Sequence, residues 1–178
     1  MKLEYGRIRV RDARASDAPR LAAWWNDGAV MAHAGFPNGL GTTAEEVAAR
    51  LETDSDDTRR RLILEYGDKA IGEMNFSNKG SGVTEIGVKI CEADYQERGI
   101  GRTALSLLIG ALFQRGYTKI VLDTNPNNRR ARHVFEKLGF QQLRVNVDSW
   151  VDQLGRPQSS VDYALVPENF VNFARNLF

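Results

Sequence analysis

Cysteine, histidine and long apolar runs are scarce in this chain of 178 residues. Cys91 is the only cysteine, which excludes an internal disulfide and fits a reducing cytosol. No run approaches the ~18 apolar residues of a membrane-spanning helix, and the first residues lack the apolar stretch of a secretory signal. We therefore expect a cytoplasmic protein with no membrane partner.

Net charge is also small, at +1, which argues against a general affinity for nucleic acid. There is one local excess of positive charge, where Arg129, Arg130, Arg132 and His133 lie close together and Lys137 follows. Two compatible interpretations stay open. The cluster is either a solvated helix face or a positive site for a polyanionic ligand, such as the phosphates of a nucleotide-derived cofactor.

Size and composition favour one domain, which we place at residues 7–168. With 42% hydrophobic and 26% charged residues, the chain can form a core without disulfides or metals. We predict no metal site, and the sequence has no repeat, low-complexity tract or linker.

Hydrophobic periodicity predicts alternating strands and helices. In chain order the predicted elements are strand 7–11, helices from 16 and at 43–51, strands 61–66, 70–76 and 83–90, helix 99–115, strand 119–123, helix 127–138, strands 140–147 and 161–166, and a short helix from 167. Antiparallel hairpins joined to one βαβ crossover predict an α+β (mixed α/β) domain. Its central sheet is twisted, mixed and mostly antiparallel, with helices on both faces.

The segment 95–103 lies between a predicted strand and a predicted amphipathic helix and is rich in glycine and arginine. The first turn of a helix has free N–H groups and partial positive charge, and glycines let a bulky anion approach them. Arg98 and Arg102 add side-chain charge and Thr103 adds a hydroxyl, so a pyrophosphate is the expected ligand. The alternative is a plain helix start whose glycines serve tight packing.

A dinucleotide-dependent oxidoreductase is another alternative. Gly99-x-Gly101-x-x-Ala104 matches the dinucleotide fingerprint, and Asp123 follows at about the expected distance. Two features oppose it. Residues 91–98 separate the strand from the first glycine, where that fold needs an immediate turn, and three meander strands precede the motif.

A second motif follows the predicted βαβ strand, and it reads Asn128-x-x-Ala131-x-x-x-Phe135-x-Lys137-x-Gly139-Phe140. Together with Gln96-x-x-Gly99-x-Gly101, it resembles the GNAT superfamily of N-acetyltransferases, whose pyrophosphate motif is R/Q-x-x-G-x-G/A. The resemblance is clearest over residues 85–141, and the element order extends it over 7–166. Sequences near Trp25 and Trp150 look like the branch that acetylates ribosomal-protein N-termini, polyamines or antibiotics.

The resemblance implies the GNAT fold and acetyl-CoA as cofactor. Main-chain groups of Val88 and Ile90 would bind the pantetheine arm, and the amides of 98–103 would hold the pyrophosphate. Asn128 would bond the pantetheine arm, with space beside it left by Ala131. The cofactor-binding residues implied in this way are Val88, Ile90, Gln96, Arg98, Gly99, Ile100, Gly101, Arg102, Thr103, Asn128, Ala131, Phe135 and Lys137.

The resemblance also implies that the substrate amine attacks the thioester directly, so Cys91 is expected to be a small buried residue rather than a nucleophile. Glu85 is the first candidate for a catalytic base or an anchor of the amine, and its alternative is an exposed strand carboxylate. Glu73 and Asp123 are the next candidates. Many family members have a tyrosine where this chain has Phe135. That departure leaves three alternatives: a thiolate stabilised by backbone and solvent, a different acid, or impaired catalysis. We favour the first.

The amine acceptor is not readable from the sequence, and a peptide N-terminus, a polyamine and an aminoglycoside all stay open. The predicted acceptor-binding residues are Trp25, Phe36, Glu73 and Trp150. Because Trp24 and Trp25 are adjacent on a helix, we expect only one of them to face the core. Phe135 also keeps open a non-catalytic acyl-CoA-binding module, and a homodimer is compatible with the sequence, which shows no interface.

Overall fold

The computed structural model describes residues 1–175. Its strands and helices, in chain order, are β1 (Lys2–Tyr5), β2 (Ile8–Asp12), α1 (Ala18–Trp25), α2 (Gly28–Met31), α3 (Ala44–Glu52), β3 (Arg59–Tyr66), β4 (Lys69–Gly80), β5 (Val83–Ile90), α4 (Ile100–Gln114), β6 (Lys119–Thr124), α5 (Arg129–Leu138), β7 (Gln141–Val151) and β8 (Pro157–Leu165). The short helix expected from Pro167 is a single 3₁₀ turn, Pro167–Asn169. No helix among these residues is long and apolar enough to cross a bilayer.

The strands form one sheet of eight, in the order β1-β2-β3-β4-β5-β6-β8-β7. Only β5 and β6 run parallel, since α4 connects them as a crossover, and every other neighbouring pair is antiparallel. The predicted α+β class, with a mixed and mostly antiparallel sheet, is confirmed.

Helices cover both faces of the sheet, and β3 shows how the sequence divides between them. Leu62 and Leu64 belong to the core under α4 and α5, while Ile63 points to the other face and packs with α1 and α3. This alternation is the side-chain period of a strand that is buried on both sides. The larger core therefore lies between the sheet and the helices α4 and α5.

Four elements differ from the sequence prediction. The four-residue helix α2 was not predicted. β1 was not predicted, because four residues of alternating exposure give little hydrophobic signal. β4 extends to Gly80, so the β4–β5 turn shortens to Ser81 and Gly82, both with positive φ (54° and 77°), as two-residue hairpins require. The β7–β8 hairpin is also longer than predicted. Because β7 is an edge strand and mostly exposed, its sequence gives little hydrophobic signal from which its end could be predicted.

Candidate active site

The sheet opens between β5 and β6. These parallel strands pair at three positions, the last being Glu85 with Val121. β5 continues along β4 as far as Ile90, so its main chain from 86 to 90 has no partner on the β6 side among the described strands. Val88 and Ile90, which we predicted to offer main-chain contacts, both lie on this free edge.

The turn before α4 is tied to the end of the free edge. The Gln96 side-chain amide donates a hydrogen bond to the Ile90 carbonyl at 3.0 Å, and the Thr103 hydroxyl donates to the Gly99 carbonyl at 3.2 Å. α4 begins at Ile100, which is buried in the core, and Gly99 is its N-cap. Gln96 and Thr103 therefore shape the turn, and Ile100 anchors the helix.

Both glycines of the motif leave open space at the helix start. Gly99 has a left-handed φ of 76°, and a Cβ added there would meet only an Arg102 nitrogen at 4.0 Å. A Cβ on Gly101 would meet only Ile90 Cδ1, at 3.5 Å. Because the first N–H groups of a helix have no partner within it, an anion can reach this backbone, and the site fits a pyrophosphate.

The two arginines of the motif rest on aromatic rings. The Arg98 guanidinium lies 5.3 Å from the ring centroids of both Tyr66 and Tyr95. Arg102 lies 4.2 Å from the centroid of Phe173. Within residues 1–175 neither arginine has a carboxylate at salt-bridge distance, and the buried Nε of Arg102 has no hydrogen-bond partner. No carboxylate in the described part of the chain therefore compensates their positive charge.

The start of α5 lies close to the turn before α4. Asn128 is the N-cap of α5, since its Oδ1 accepts a hydrogen bond from the Ala131 N–H at 3.2 Å and its Nδ2 donates to Thr124 at 3.4 Å. Arg130 forms an ion pair with Glu97 at 3.2 Å, which links α5 to that turn. The side chain that the resemblance assigned to the pantetheine arm thus also caps the helix.

The remaining residues of the second motif are spread along α5. Phe135 is 5% exposed and packs against Tyr163 and Phe140, with centroid distances of 5.6 and 5.9 Å. Lys137 is exposed in the last turn, about 14 Å along the helix axis from Asn128. The structure therefore places Phe135 in the core and does not bring Lys137 to the helix start.

The basic cluster of α5 divides into structural and free side chains. Arg132 is structural, because it donates to the Tyr163 hydroxyl at 2.9 Å, to the Pro126 carbonyl at 3.1 Å and to Gln142 at 2.9 Å. His133 is exposed. His133 thus fits the solvated helix face, Arg132 holds the fold together, and a positive site for a polyanion at this cluster stays a prediction.

Carboxylates line the sheet face at the point where β5 and β6 separate. Glu85 and Asp123 share this face because Glu85 pairs with Val121, two residues before Asp123, and Asp162 pairs with Asp123 from β8. Partial burial raises the pKa of Asp123, and the neighbouring charges of Glu85 and Asp162 raise it further. Asp162 differs, since a hydrogen bond from Arg144 lowers its pKa.

Glu73 lies on the same face, one strand away, and its two oxygens are engaged. The indole Nε1 of Trp25 donates to one oxygen at 2.9 Å, and Lys89 Nζ lies 3.6 Å from the other. Trp24 and Trp25 are 5% and 7% exposed and belong to the same core cluster, so our expectation that only one would face the core was wrong. Both indoles can be buried because each N–H has an acceptor, with Trp24 Nε1 donating to Glu92 at 3.2 Å as Trp25 Nε1 does to Glu73.

The tip of the β7–β8 hairpin docks onto the loop that follows α2. The Trp150 ring packs so closely against Gly35 that an added Cβ would lie 2.4 Å from it. Gln153 strengthens this contact, since its N–H donates to the Gly35 carbonyl at 2.8 Å and its side chain donates to Gly39 at 2.9 Å. Phe36, beside Gly35, is 37% exposed. The predicted acceptor residues thus form two groups, Trp25 with Glu73 and Trp150 beside Phe36.

Sequence reasoning missed three residues of this region. Lys89 was detectable, because it shares the alternation of Glu85 in β5 and so faces Glu73. Asp162 needed the β6–β8 register to place it opposite Asp123. Phe173 has no local sequence signal, since its contact with Arg102 depends on how the C-terminal segment packs on α4.

Comparison with known proteins agrees with this geometry. A family model for the acetyltransferase (GNAT) domain matches residues 7–141. The alanine N-acetyltransferase of ribosomal protein bS18 from Escherichia coli is 30% identical over 70 residues, 39% of this chain and 47% of the relative. The chain thus spans about half the length of the curated relatives it matches.

Two solved structures share the fold over nearly the whole chain. The ribosomal-protein-S5-alanine acetyltransferase of Vibrio fischeri has a TM-score of 0.81 and 19% identity, over 96% of this chain and 99% of that one. The spermidine N-acetyltransferase of Vibrio cholerae, in complex with CoA and spermine, has a TM-score of 0.80 and 20% identity, over 93% and 99%. With the family match over residues 7–141 and the open edge of β5 ahead of the glycine-rich helix start, the chain belongs to the GNAT family of acetyltransferases, whose cofactor is acetyl-CoA.

Proposed function

We propose that the protein is an N-acetyltransferase that moves an acetyl group from acetyl-CoA to a primary amine of a cationic acceptor. The observation that carries this proposal is the opening between β5 and β6. At one end of it lies a helix start with no acidic residue in its first turn, and a group of carboxylates lies at its vertex. One region of the molecule therefore offers a place for polyphosphate and a place for an ammonium group.

The proposed cofactor site uses main chain more than side chains. The edge of β5 that faces away from β4 offers N–H and C=O groups between 86 and 90, apart from the Ile90 carbonyl, which accepts from Gln96. The first turn of α4 offers N–H groups beside two glycines. Arg98 and Arg102 rest on aromatic rings and form no salt bridge within residues 1–175, so their charge is available to the phosphates. When bound, acetyl-CoA supplies a thioester carbonyl that a neutral amine can attack.

The proposed acceptor site is acidic. Glu85, Asp123 and Asp162 lie together on one sheet face. Arg144 pairs with Asp162 at 2.8 Å, whereas the contact of Glu85 with Lys79 is long, at 3.9 Å, and exposed, so the negative charge that favours a cation comes mainly from Asp123 and Glu85. Glu73 contributes less, because Lys89 compensates its charge and Trp25 occupies one of its oxygens. We assign Glu85 and Asp123 to the acceptor amine, with Glu85 taking its proton directly or through water and Asp123 anchoring it.

Attack is direct in this proposal, without an acyl-enzyme. Cys91 supports this assignment, because burial and the nearby Glu73 charge raise the pKa of its thiol to about 12, which leaves it a poor nucleophile at neutral pH. Phe135 carries no hydroxyl and is buried, so α5 supplies no acid at this position. The proton that the leaving group needs then comes from solvent.

The acceptor class is a polycation or a peptide N-terminus. A spermidine acetyltransferase and two ribosomal-protein-alanine acetyltransferases are among the relatives named above. The carboxylate group at the vertex favours such acceptors over neutral amines.

The test measures free thiol release from acetyl-CoA with spermidine, with a peptide beginning in alanine and with a neutral small amine, and confirms each product by mass spectrometry. We expect transfer to a cationic acceptor, with intersecting rather than parallel initial-velocity lines. Tight CoA binding with no thiol release on any amine would show a binding module instead.

One variant and its control test whether Glu85 takes the proton of the acceptor amine. We expect Glu85→Gln to lower kcat/KM by about 100-fold, mostly in kcat. Glu4→Gln is the matched control, because Glu4 is a strand carboxylate of similar exposure, 52% against 48%, at the far edge of the sheet. Equal activity of the two variants at every pH would remove Glu85 from the mechanism.

A further inference from the structure

The segment that follows β8 crosses the outer surface of α4 and α5, and we call residues 167–175 the C-terminal strap. The Val171 N–H donates to the Leu138 carbonyl at 2.9 Å, at the end of α5. Phe170 packs edge-on against Phe113 of α4, with the ring centroids 5.9 Å apart. The strap therefore joins the two helices whose starts flank the sheet opening.

The strap reaches the start of α4 through Phe173. Its N–H donates to the hydroxyl of Ser106 at 3.0 Å, and Ser106 is fully buried. Its ring lies under the guanidinium of Arg102, 4.2 Å from centroid to Cζ. Because Ser106 is one helical turn after Arg102, the hydrogen bond fixes the ring at the level of that arginine.

Arg102 is in an unfavourable place for a cation. The first turn of a helix carries partial positive charge, and within residues 1–175 Arg102 has no carboxylate partner and its buried Nε has no hydrogen-bond partner. The face of an aromatic ring attracts a guanidinium without neutralising it. Arg98 is held in the same way, between Tyr66 and Tyr95.

We propose that Phe173 is a positioning residue of the cofactor site: through the C-terminal strap it holds Arg102, which is charged and has no carboxylate partner among residues 1–175, where the phosphates of acetyl-CoA bind. This inference rests on the cofactor placement proposed above. An ion pair would hold the arginine equally well but would cancel the charge that the anion needs. The aromatic contact orients the guanidinium and leaves its charge available.

The test measures the dissociation constant of CoA by calorimetry, without any amine, on the full chain. Phe173→Leu keeps the apolar volume and removes the aromatic face, whereas Phe173→Trp keeps an aromatic face. Phe170→Leu is the matched control, because it changes the strap where it packs on Phe113, away from Arg102. Thermal unfolding of each variant reports the stability of the strap separately.

We expect Phe173→Leu to weaken CoA binding about five-fold, the size of a partly desolvated cation–π contact. Phe173→Trp should bind CoA about as tightly as the wild type, because it keeps an aromatic face. Phe170→Leu should change the melting temperature more than the affinity for CoA. In an Arg102→Gln background Phe173→Leu has no further effect on CoA, because the residue it positions is gone. The salt dependence of CoA binding weakens in Phe173→Leu as in Arg102→Gln.

Two results would overturn the inference. One is an equal loss of CoA affinity in Phe173→Leu and Phe170→Leu. The other is an undiminished effect of Phe173→Leu when Arg102 is already glutamine. A wild-type protein that binds no CoA refutes the cofactor site itself, and a wild-type protein that binds CoA but acetylates no amine refutes only the proposed activity.

Discussion

The indole Nε1 of Trp25 donates a hydrogen bond to the Glu73 carboxylate at 2.9 Å, and this contact joins α1 to β4 on the acceptor face of the sheet. Lys89 lies 3.6 Å from the other oxygen of the same carboxylate. Glu73 is therefore held by a helix and compensated by a cation. Of the three carboxylates that the sequence offered as a base, only Glu85 and Asp123 lie at the vertex of the opening.

Trp25→Phe removes this hydrogen bond and keeps most of the buried ring. We expect a loss of about 1 kcal/mol in the free energy of unfolding, measured with denaturant. Because Lys89 still compensates Glu73 and the amine is assigned to Glu85 and Asp123, the KM for the amine should stay close to the wild-type value. Trp24→Phe is the control, since it loses a bond to Glu92 instead and should lower stability by a similar amount. A KM for the amine that rises in Trp25→Phe and not in Trp24→Phe would show that Glu73 takes part in acceptor binding.

The contact between Trp25 and Glu73 also shows where sequence reasoning ends. Both residues were predicted near the acceptor, but 48 positions separate them, and only the packing of α1 on the sheet determines that they pair. The glycine-rich start of α4 was predictable, because its signals are local: two glycines, two arginines and an apolar stripe. The strap was not, since its contacts join positions 67 residues apart, Phe173 and Ser106.

The sheet opening was predictable only in part. Its strands and crossover helix could be predicted from alternation and period. The point of separation could not, because it depends on β5 and β6 pairing only as far as Glu85 and Val121. Hydrophobic pattern identifies which residues form strands and does not determine how long two neighbours stay paired.

The two glycines at the start of α4 should respond to alanine with opposite signs. Gly99 has a left-handed φ of 76°, so Gly99→Ala costs about 1 kcal/mol of unfolding free energy. Gly101 is helical, with only Ile90 Cδ1 at 3.5 Å from an added Cβ, so Gly101→Ala gains about 0.5 kcal/mol. Denaturant unfolding of the pair measures both. Destabilisation of equal size in the two variants would contradict the difference in backbone conformation.

Cys91 should be dispensable for transfer and slow to alkylate. Burial, reinforced by the charge of Glu73, raises the pKa of its thiol to about 12, so at pH 8 only about one molecule in 10,000 is a thiolate. We expect Cys91→Ala to retain wild-type kcat, and iodoacetamide to react slowly with the folded protein and rapidly in urea. An acetylated Cys91 trapped from acetyl-CoA would instead demonstrate an acyl-enzyme.

Asp123 should destabilise the fold at neutral pH, because partial burial and then the charges of Glu85 and Asp162 raise its pKa above the ordinary 3.8. Below that value Asp123 is protonated in both states and carries no penalty. As pH rises from 3.8 to the folded pKa, the unfolded chain loses its proton first, so stability falls. Asp123→Asn should therefore raise the melting temperature at pH 7 and leave it unchanged at pH 3, while it weakens acceptor binding.

Asp162 is the cross-strand partner of Asp123, and we expect Asp162→Asn to have the opposite effect on stability. A hydrogen bond from Arg144 lowers the pKa of Asp162, so its ionised form stabilises the folded state above the ordinary pKa, and this contribution disappears as pH falls through the folded value. Asp162→Asn should lower the melting temperature at pH 7, with the difference from wild type vanishing in acid. Asp123 and Asp162 are neighbours on one face. If repulsion between them dominated, removing either charge would raise the melting temperature. Melting curves at pH 3 and pH 7 that shift with equal sign would show that repulsion among the carboxylates outweighs the separate surroundings of Asp123 and Asp162.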